Sequence, residues 1–446
     1  MLFAASGTST GPSHPHVGSD PIVSALVAIV VLLIGYRISK RVARTQGDDR
    51  YVKLLMLSLV LHLLCAPAQI WVVDHIYHGT ADFTAYVNRG ANVAYNFRSG
   101  SFSFANTGVH GVTEDNTVFI FSGIVQTIIG EDKLALFFAF TGVAFLGEVA
   151  FFRAFATTFP EVNPRRYALL LFFLPSLLFW TADISKETIM TLALGLAAYG
   201  AARILRRRPG GYRLLIPGLV LGTILRPNEV VLMLAGFAVA MLFRSRDLRK
   251  KLRGARRVFT FLFVACALGL GVYLTQKIFH TSGSLSDILN QVEKNNSNGK
   301  GAGFGSSFVG YSSNPIYYPK DVYTVMFDPL PITAHGKGEL LAGLENTIIV
   351  VIILMSWRQL KCVVRASRVR PYVLMCAIYS ALFLYAFAAL GNLGLIYRER
   401  TLLLPFLLVL LAIPISDKGE RKRFPWEKKL PKRRARRQSM TAGYRG

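Results

Sequence analysis

Asp74 to Arg98 reads DHIYHGTADFTAYVNRGANVAYNFR, a polar stretch set directly against the hydrophobic run 52–73. Asp74, Asp82, Arg89 and Arg98 all fall within it. The run before it is long enough to cross a bilayer as a helix. The stretch therefore marks a place where the chain leaves a membrane, and the side on which it emerges governs the reading of the rest.

The bulk composition supports a membrane setting. The 446 residues are 52% hydrophobic and only 17% charged, with a mean hydropathy of +0.40. That charged fraction is low for a soluble protein. Apolar blocks of about 15 to 25 residues recur, each suited to a transmembrane helix. The fold class read from this pattern is an all-α polytopic integral membrane protein. It forms one unit, because no soluble segment is long enough to bury a core of its own.

The net charge of +26 would suggest nucleic acid on a soluble chain. Here the basic residues sit in short loops between apolar blocks, as orientation in a membrane demands. No nucleic-acid partner is expected, and membrane lipids are. The tail from Lys418 to Arg437 is dense in charge and reads as a solvated cytoplasmic anchor. The four cysteines, Cys65, Cys266, Cys362 and Cys376, show no disulfide or metal-site spacing. The first 20 residues lack a basic n-region, so a cleaved signal peptide is not expected.

Eleven spans are expected, at 22–37, 52–73, 134–158, 167–182, 188–205, 214–225, 229–243, 257–279, 340–358, 371–391 and 401–416. Residues 1–416 form the transmembrane domain, with large external loops at 74–133 and 280–339, and 417–446 form a basic tail. Placing the basic loops on one face gathers most of the 51 Lys and Arg there. The N-terminus is then outside and the C-terminus cytoplasmic. Two consequences follow from that orientation. Val118 to Gly130, about 13 residues, is too short to span; it reads as an amphipathic helix on the outer leaflet, with Phe121, Val125, Ile128 and Ile129 opposite Ser122 and Gln126. The segment 214–243 enters and leaves on the inner side as a hairpin broken at Arg226-Pro227-Asn228-Glu229. In the second loop, the Gly- and Asn-rich part after Asn295 reads as a mobile lid or a plain connector.

The short external connections are rich in charge. They hold Lys186 and Glu187, Arg226 and Glu229, and Arg398, Glu399 and Arg400, the last group just before the final span. If the spans bundle, these residues converge with Asp74 and Asp82 on one pocket. Guanidinium forks suit phosphate oxygens, and Arg226, Arg398, Arg400 and Lys186 are the candidates. A phosphate is already a good leaving group, whereas an acceptor hydroxyl needs a base within hydrogen-bond reach. Asp82, with Tyr86 one helical turn on, or Asp74 fits that role. Asp74 equally fits an interfacial anchor, Lys186 and Glu187 a helix cap, and Arg398 and Arg400 headgroup anchors. Arg226 needs an anion, for which Glu229 is available in sequence. Glu148 and Arg153 fall inside a span and are expected to find internal partners. No His or Asp cluster has metal-ligand spacing, so neither a metal nor another cofactor is called for.

Three pieces of sequence resemble a known group. Asp82 to Tyr86, followed by Ala91 and Ala94, resembles the first external loop of the GT-C superfamily of membrane glycosyltransferases. Pro175 to Glu187, PSLLFWTADISKE, is similar to a stretch in its bacterial members, as is the Arg-x-Arg before the last span. The resemblance implies an outward-facing site and a polyprenyl-phosphate-linked sugar donor. It also implies a glycan or lipid acceptor, inversion at the sugar, and an acid of the first loop as base: Asp82, then Asp74. The chain departs from the group in lacking adjacent paired acids in that loop and in carrying an extra span before it. Arg89 and Gly100 also fit an R-x10-G spacing of polysaccharide polymerases. A polymerase or ligase of the O-antigen type, or a lipid-linked sugar flippase, therefore stands as an alternative.

Overall fold

The computed structural model describes residues 18–75, 82–104, 107–109, 114–243, 318–334, 337–388 and 393–415. The expected span 257–279, the Gly-rich part of the second loop and the basic tail lie outside the described residues. Among the described residues the chain is all-helical, with no strand. In chain order the helices are α1 (Pro21–Gln46), α2 (Arg50–His75), α3 (Asp82–Arg98), α4 (Glu114–Ile129), α5 (Lys133–Thr158), α6 (Arg165–Phe173), α7 (Pro175–Trp180) and α8 (Lys186–Leu205). There follow α9 (Tyr212–Leu225), α10 (Pro227–Leu242), α11 (Tyr318–Phe327), α12 (Lys337–Met355), α13 (Trp357–Lys361), α14 (Val363–Val369), α15 (Pro371–Ala388) and α16 (Leu393–Leu411).

Four of these, α1, α2, α5 and α8, are long and apolar enough to cross a membrane. Together with the shorter apolar helices they fit a membrane-embedded protein. Their starts and stops follow local chemistry. The Asp20 carboxylate accepts from Ile22 N at 2.8 Å and caps α1, whose first residue is proline. Gly47, at φ 69°, closes α1 in the left-handed conformation that glycine adopts without strain. Asp132 caps α5 through Ala135 N at 2.6 Å and also accepts from Ser24 Oγ at 2.8 Å, fastening α5 to α1.

The bundle centre is a crossing of α5 and α8. A Cβ at Gly147 would meet the backbone of Thr191, and one at Gly195 would meet the backbone of Gly147. Only glycine lets two helices approach this closely. Glu148 does not turn to Arg153: its partner is His62 of α2, at 3.1 Å, with both side chains fully buried. By contrast α1 lies at the rim, with Leu26, Ile29 and Leu33 exposed. Such a surface belongs against hydrocarbon.

The contacts sort the chain into two ends. At one, Glu161 joins Arg206 and Arg370, Tyr51 reaches Asn163, and Arg166 reaches Ser356. At the other lie Asp132, Asp82, Lys186 and Arg226, described below. α9 climbs to that second end and α10 turns back: Glu229 meets Tyr379 while Gly236 meets Met375, so α10 runs antiparallel to α15. The break at Arg226 thus lies where the sequence predicts it.

Three boundaries differ clearly from the expected ones, the first being α1, which runs on to Gln46, past the expected end at 37. Residues 167–182 form two helices, because Pro175 drives Leu174 to extended backbone at φ −69°, ψ 124°. The last helix starts at Leu393 rather than 401, so Arg398, Glu399 and Arg400 lie inside it. The run Leu-Gly-Leu-Ile-Tyr before Arg398 carries the helix backward. α4 lies along α3 and buries its polar stripe there: Gln126 Nε2 donates to Val87 O at 3.0 Å, while Ile124 and Ile128 stay exposed.

Candidate functional site

Five separate segments supply charged groups to one end of the bundle. Asp82 comes from the first turn of α3 and Asp115 from the first turn of α4. Lys186 and Glu187 open α8, whose N-cap is Ser185, its Oγ accepting from Thr188 N at 3.3 Å. An acid in a first helical turn is favoured by the helix dipole. Arg226 sits at the α9–α10 break in non-helical backbone, φ −151°, ψ 86°. Arg398 and Glu399 come from α16.

The side chains form a continuous chain of charge. Arg398 donates through one terminal nitrogen to Asp82 Oδ2 at 2.7 Å and through the other to Glu187 Oε2 at 3.2 Å. Glu187 accepts on its other oxygen from Arg226 at 2.7 Å, and Arg226 turns its remaining terminal nitrogen to Glu399. Glu187 and Glu399 are buried, whereas Asp82 is half exposed at 48%. Arg398, 22% exposed, and Lys186, 17%, are the cations nearest the surface, and Arg226, at 12%, lies beneath them. An isolated arginine would be expensive at this depth; each one here is offset by two carboxylates.

A second branch runs beside it. Lys186 pairs with Asp115 at 3.1 Å, and Tyr86 donates its hydroxyl to the same carboxylate at 2.6 Å. Burial pushes Asp115 up, but Tyr86 and Lys186 outweigh it and hold the carboxyl below its ordinary range. The Tyr86 hydroxyl is raised far above 10 by burial and then by Asp115. The close fit of α3 on α4 depends on Gly90, whose Cβ would strike Ser122 and Gln126.

Of the residues expected from sequence, Asp82, Lys186, Glu187, Arg226 and Arg398 share the cluster, and Tyr86 joins through Asp115. Three stand apart. Arg400 is fully buried and holds Glu345 at 2.6 Å, Asn346 Oδ1 at 2.7 Å and Met326 O at 3.0 Å, which locks α16 to α12 and α11. Arg89 lies over the Phe119 ring at 4.8 Å. Asp74 is exposed in the last turn of α2 and joins none of these contacts. The anion on Arg226 is not Glu229, which instead accepts from Tyr379 Oη at 2.8 Å.

Glu399, expected from the sequence to converge with the other charges, joins the cluster through Arg226. Sequence reasoning missed Asp115, which gave no signal, since its partners are Tyr86 and Lys186, far away along the chain.

Below this end an apolar groove of about 400 Å³ opens between α11 and α12, lined by Tyr323, Phe327, Val350, Ile353 and Leu354 among others. It starts one residue past Asn346, a partner of Arg400, and follows α12 away from the cluster. No family model, curated protein or solved structure matches this chain.

Proposed function

We propose that the chain is a membrane glycosyltransferase similar to the GT-C superfamily. It moves a sugar from a polyprenyl-phosphate donor to a cell-envelope glycan or lipid acceptor on the extracytoplasmic side. About eleven spans, an external N-terminus and a cytoplasmic C-terminus complete this reading. The observation that carries it is the linked series Asp82–Arg398–Glu187–Arg226–Glu399, gathered from four distant segments at the end opposite the basic loops.

The chemistry divides among these groups. Arg398 and Lys186, nearest the surface, hold the donor phosphate, and Arg226 fixes Glu187 between them. The acceptor hydroxyl gives its proton to Asp82, whose exposed carboxylate has room for it. The acceptor oxygen forms a bond to the anomeric carbon as the carbon–oxygen bond to phosphate breaks. The electron pair leaves with polyprenyl phosphate, which needs no general acid. The groove along α12 suits the hydrocarbon tail of such a carrier.

The test is transfer of radiolabelled sugar from a panel of polyprenyl-phosphate sugars by the full chain in lipid nanodiscs. Asp82→Asn should lower turnover by roughly 10²–10⁴-fold, the usual yield of a positioned base, with unchanged unfolding temperature. Full activity of that variant, with Arg89 and Arg398 instead controlling product length, would favour a polymerase. Movement of lipid-linked sugar across vesicles without product would replace the transferase by a flippase.

A further inference from the structure

Asp183 is a carboxyl at this end that takes no part in the ion pairs described above. Asp183 lies in the turn between α7 and α8, and that turn is firmly held. Its carbonyl accepts from Thr188 Oγ1 at 2.6 Å, and the same hydroxyl reaches Thr181 O at 3.1 Å. Thr181, Ala182, Ile184 and Ser185 are buried around it. The carboxyl oxygen Oδ1 is sealed from solvent and has no hydrogen-bond partner.

The charges facing Asp183 come from three elements: Arg398 of α16, Glu187 of α8 and Asp82 of α3. Lys186, Asp115, Arg226, Glu229 and Glu399 extend the cluster beyond these three. The acids of this cluster, Asp82, Asp115, Asp183, Glu187, Glu229 and Glu399, outnumber its cations, Lys186, Arg226 and Arg398. Both terminal nitrogens of Arg398 are already committed, one to Asp82 and one to Glu187. An arriving phosphate would deepen the excess of negative charge. A cluster so placed relieves it by keeping one acid neutral.

We propose that Asp183 is that acid: a positioning residue whose proton leaves Arg398 to Asp82 and to a bound phosphate, and whose ionisation draws Arg398 away from both. The phosphate in this proposal rests on the donor reading above; the proton on Asp183 does not. Burial, with Glu187 and Asp82 adding to it and Arg398 opposing, raises Asp183 to about 7. The site is therefore competent on the acid side of neutrality and loses anion affinity on the alkaline side.

The experiment uses the full chain in lipid nanodiscs and two readings. The first is the infrared carbonyl band of protonated carboxyls, taken as wild type minus Asp183→Asn between pH 5 and pH 9. A band that titrates near neutrality is expected; its absence overturns the proposal. Asp183→Glu keeps an acid in place and should move the midpoint without deleting the band, which guards against a misfolded Asn variant. The second is calorimetric binding of farnesyl methyl phosphate, a diester of constant charge. Wild type should lose roughly tenfold in affinity between pH 6 and pH 8.5, about the effect of one nearby charge. Asp183→Asn should stay within roughly twofold. Equal pH dependence in both proteins overturns the proposal. A titrating band in a wild type that binds no diester at any pH leaves the proton on Asp183 and overturns the donor reading instead.

Discussion

Two glutamates hold matching positions at opposite ends of the bundle. Glu161 lies between Arg206 at 3.7 Å and Arg370 at 2.8 Å; Glu187 lies between Arg226 at 2.7 Å and Arg398 at 3.2 Å. The motif is the same and the surroundings are opposite. The loops meeting at Glu161 are crowded with Arg165, Arg166, Arg203, Arg207 and Arg208, so the acid is the minority charge and serves as a clasp. Around Glu187 acids are in excess and the arginines are shared. A shared arginine has competing claims on it, and a substrate can enter that competition.

The sharpest way to break this comparison is to neutralise each glutamate in turn. Glu187→Gln takes from each of two arginines one of its two carboxylates in a buried setting, and should cost roughly 3–5 kcal/mol, the usual penalty for breaking a buried pair. Glu161→Gln, at an acid that is 13% exposed where Glu187 is 1% exposed, should cost about 1–3 kcal/mol. Chemical denaturation in detergent micelles reads both, and equal losses would erase the distinction between the ends.

A smaller effect should appear in the pH dependence of stability. Asp183 binds its proton more tightly in the folded chain, near 7, than in the unfolded chain at its ordinary value of 3.8. The folded state therefore carries the extra proton between these values, and stability from this group falls as pH rises through the window. The unfolding temperature of Asp183→Asn relative to wild type should climb from pH 5 to pH 8. A flat difference would remove Asp183 from the account. The smallest effect belongs to Lys186→Met. Its partner Asp115 is 51% exposed, and exposed pairs contribute only about 0.2–1 kcal/mol. A larger loss would make the Asp115 branch structural rather than available to a ligand.

Much of the frame was legible because a bilayer imposes a length. α1, α2, α5 and α8 match their expected spans in position, since each needs some 20 apolar residues. The break at Arg226 was legible from its Pro-Asn punctuation. Leu174 was not recognised as a break, although Pro175 carried the same signal inside a longer apolar run. α16 was cut short because a charged triplet resembles a loop end, whereas here tertiary partners bury all three of its charges to differing degrees. In the site, Asp82, Glu187 and Arg398 were found from composition alone, as charges collected in short connections. Tyr86 was read as the helical neighbour of Asp82. Its hydroxyl instead reaches Asp115, a pairing between two helices that no spacing along one helix reveals.

The glycine crossing at the bundle centre bears on how a substrate would arrive. Gly147 and Gly195 leave no side chain between α5 and α8, so these helices touch backbone to backbone and have no slack in which to slide. Motion that admits a large molecule has to be borne elsewhere. On the far side, α11 and α12 are joined to α16 by the polar grip of Arg400, and an open apolar seam runs between α11 and α12. Backbone contact thus closes one seam of the bundle, and an apolar opening marks another, where a lipid-linked molecule would find room if the proposed function holds.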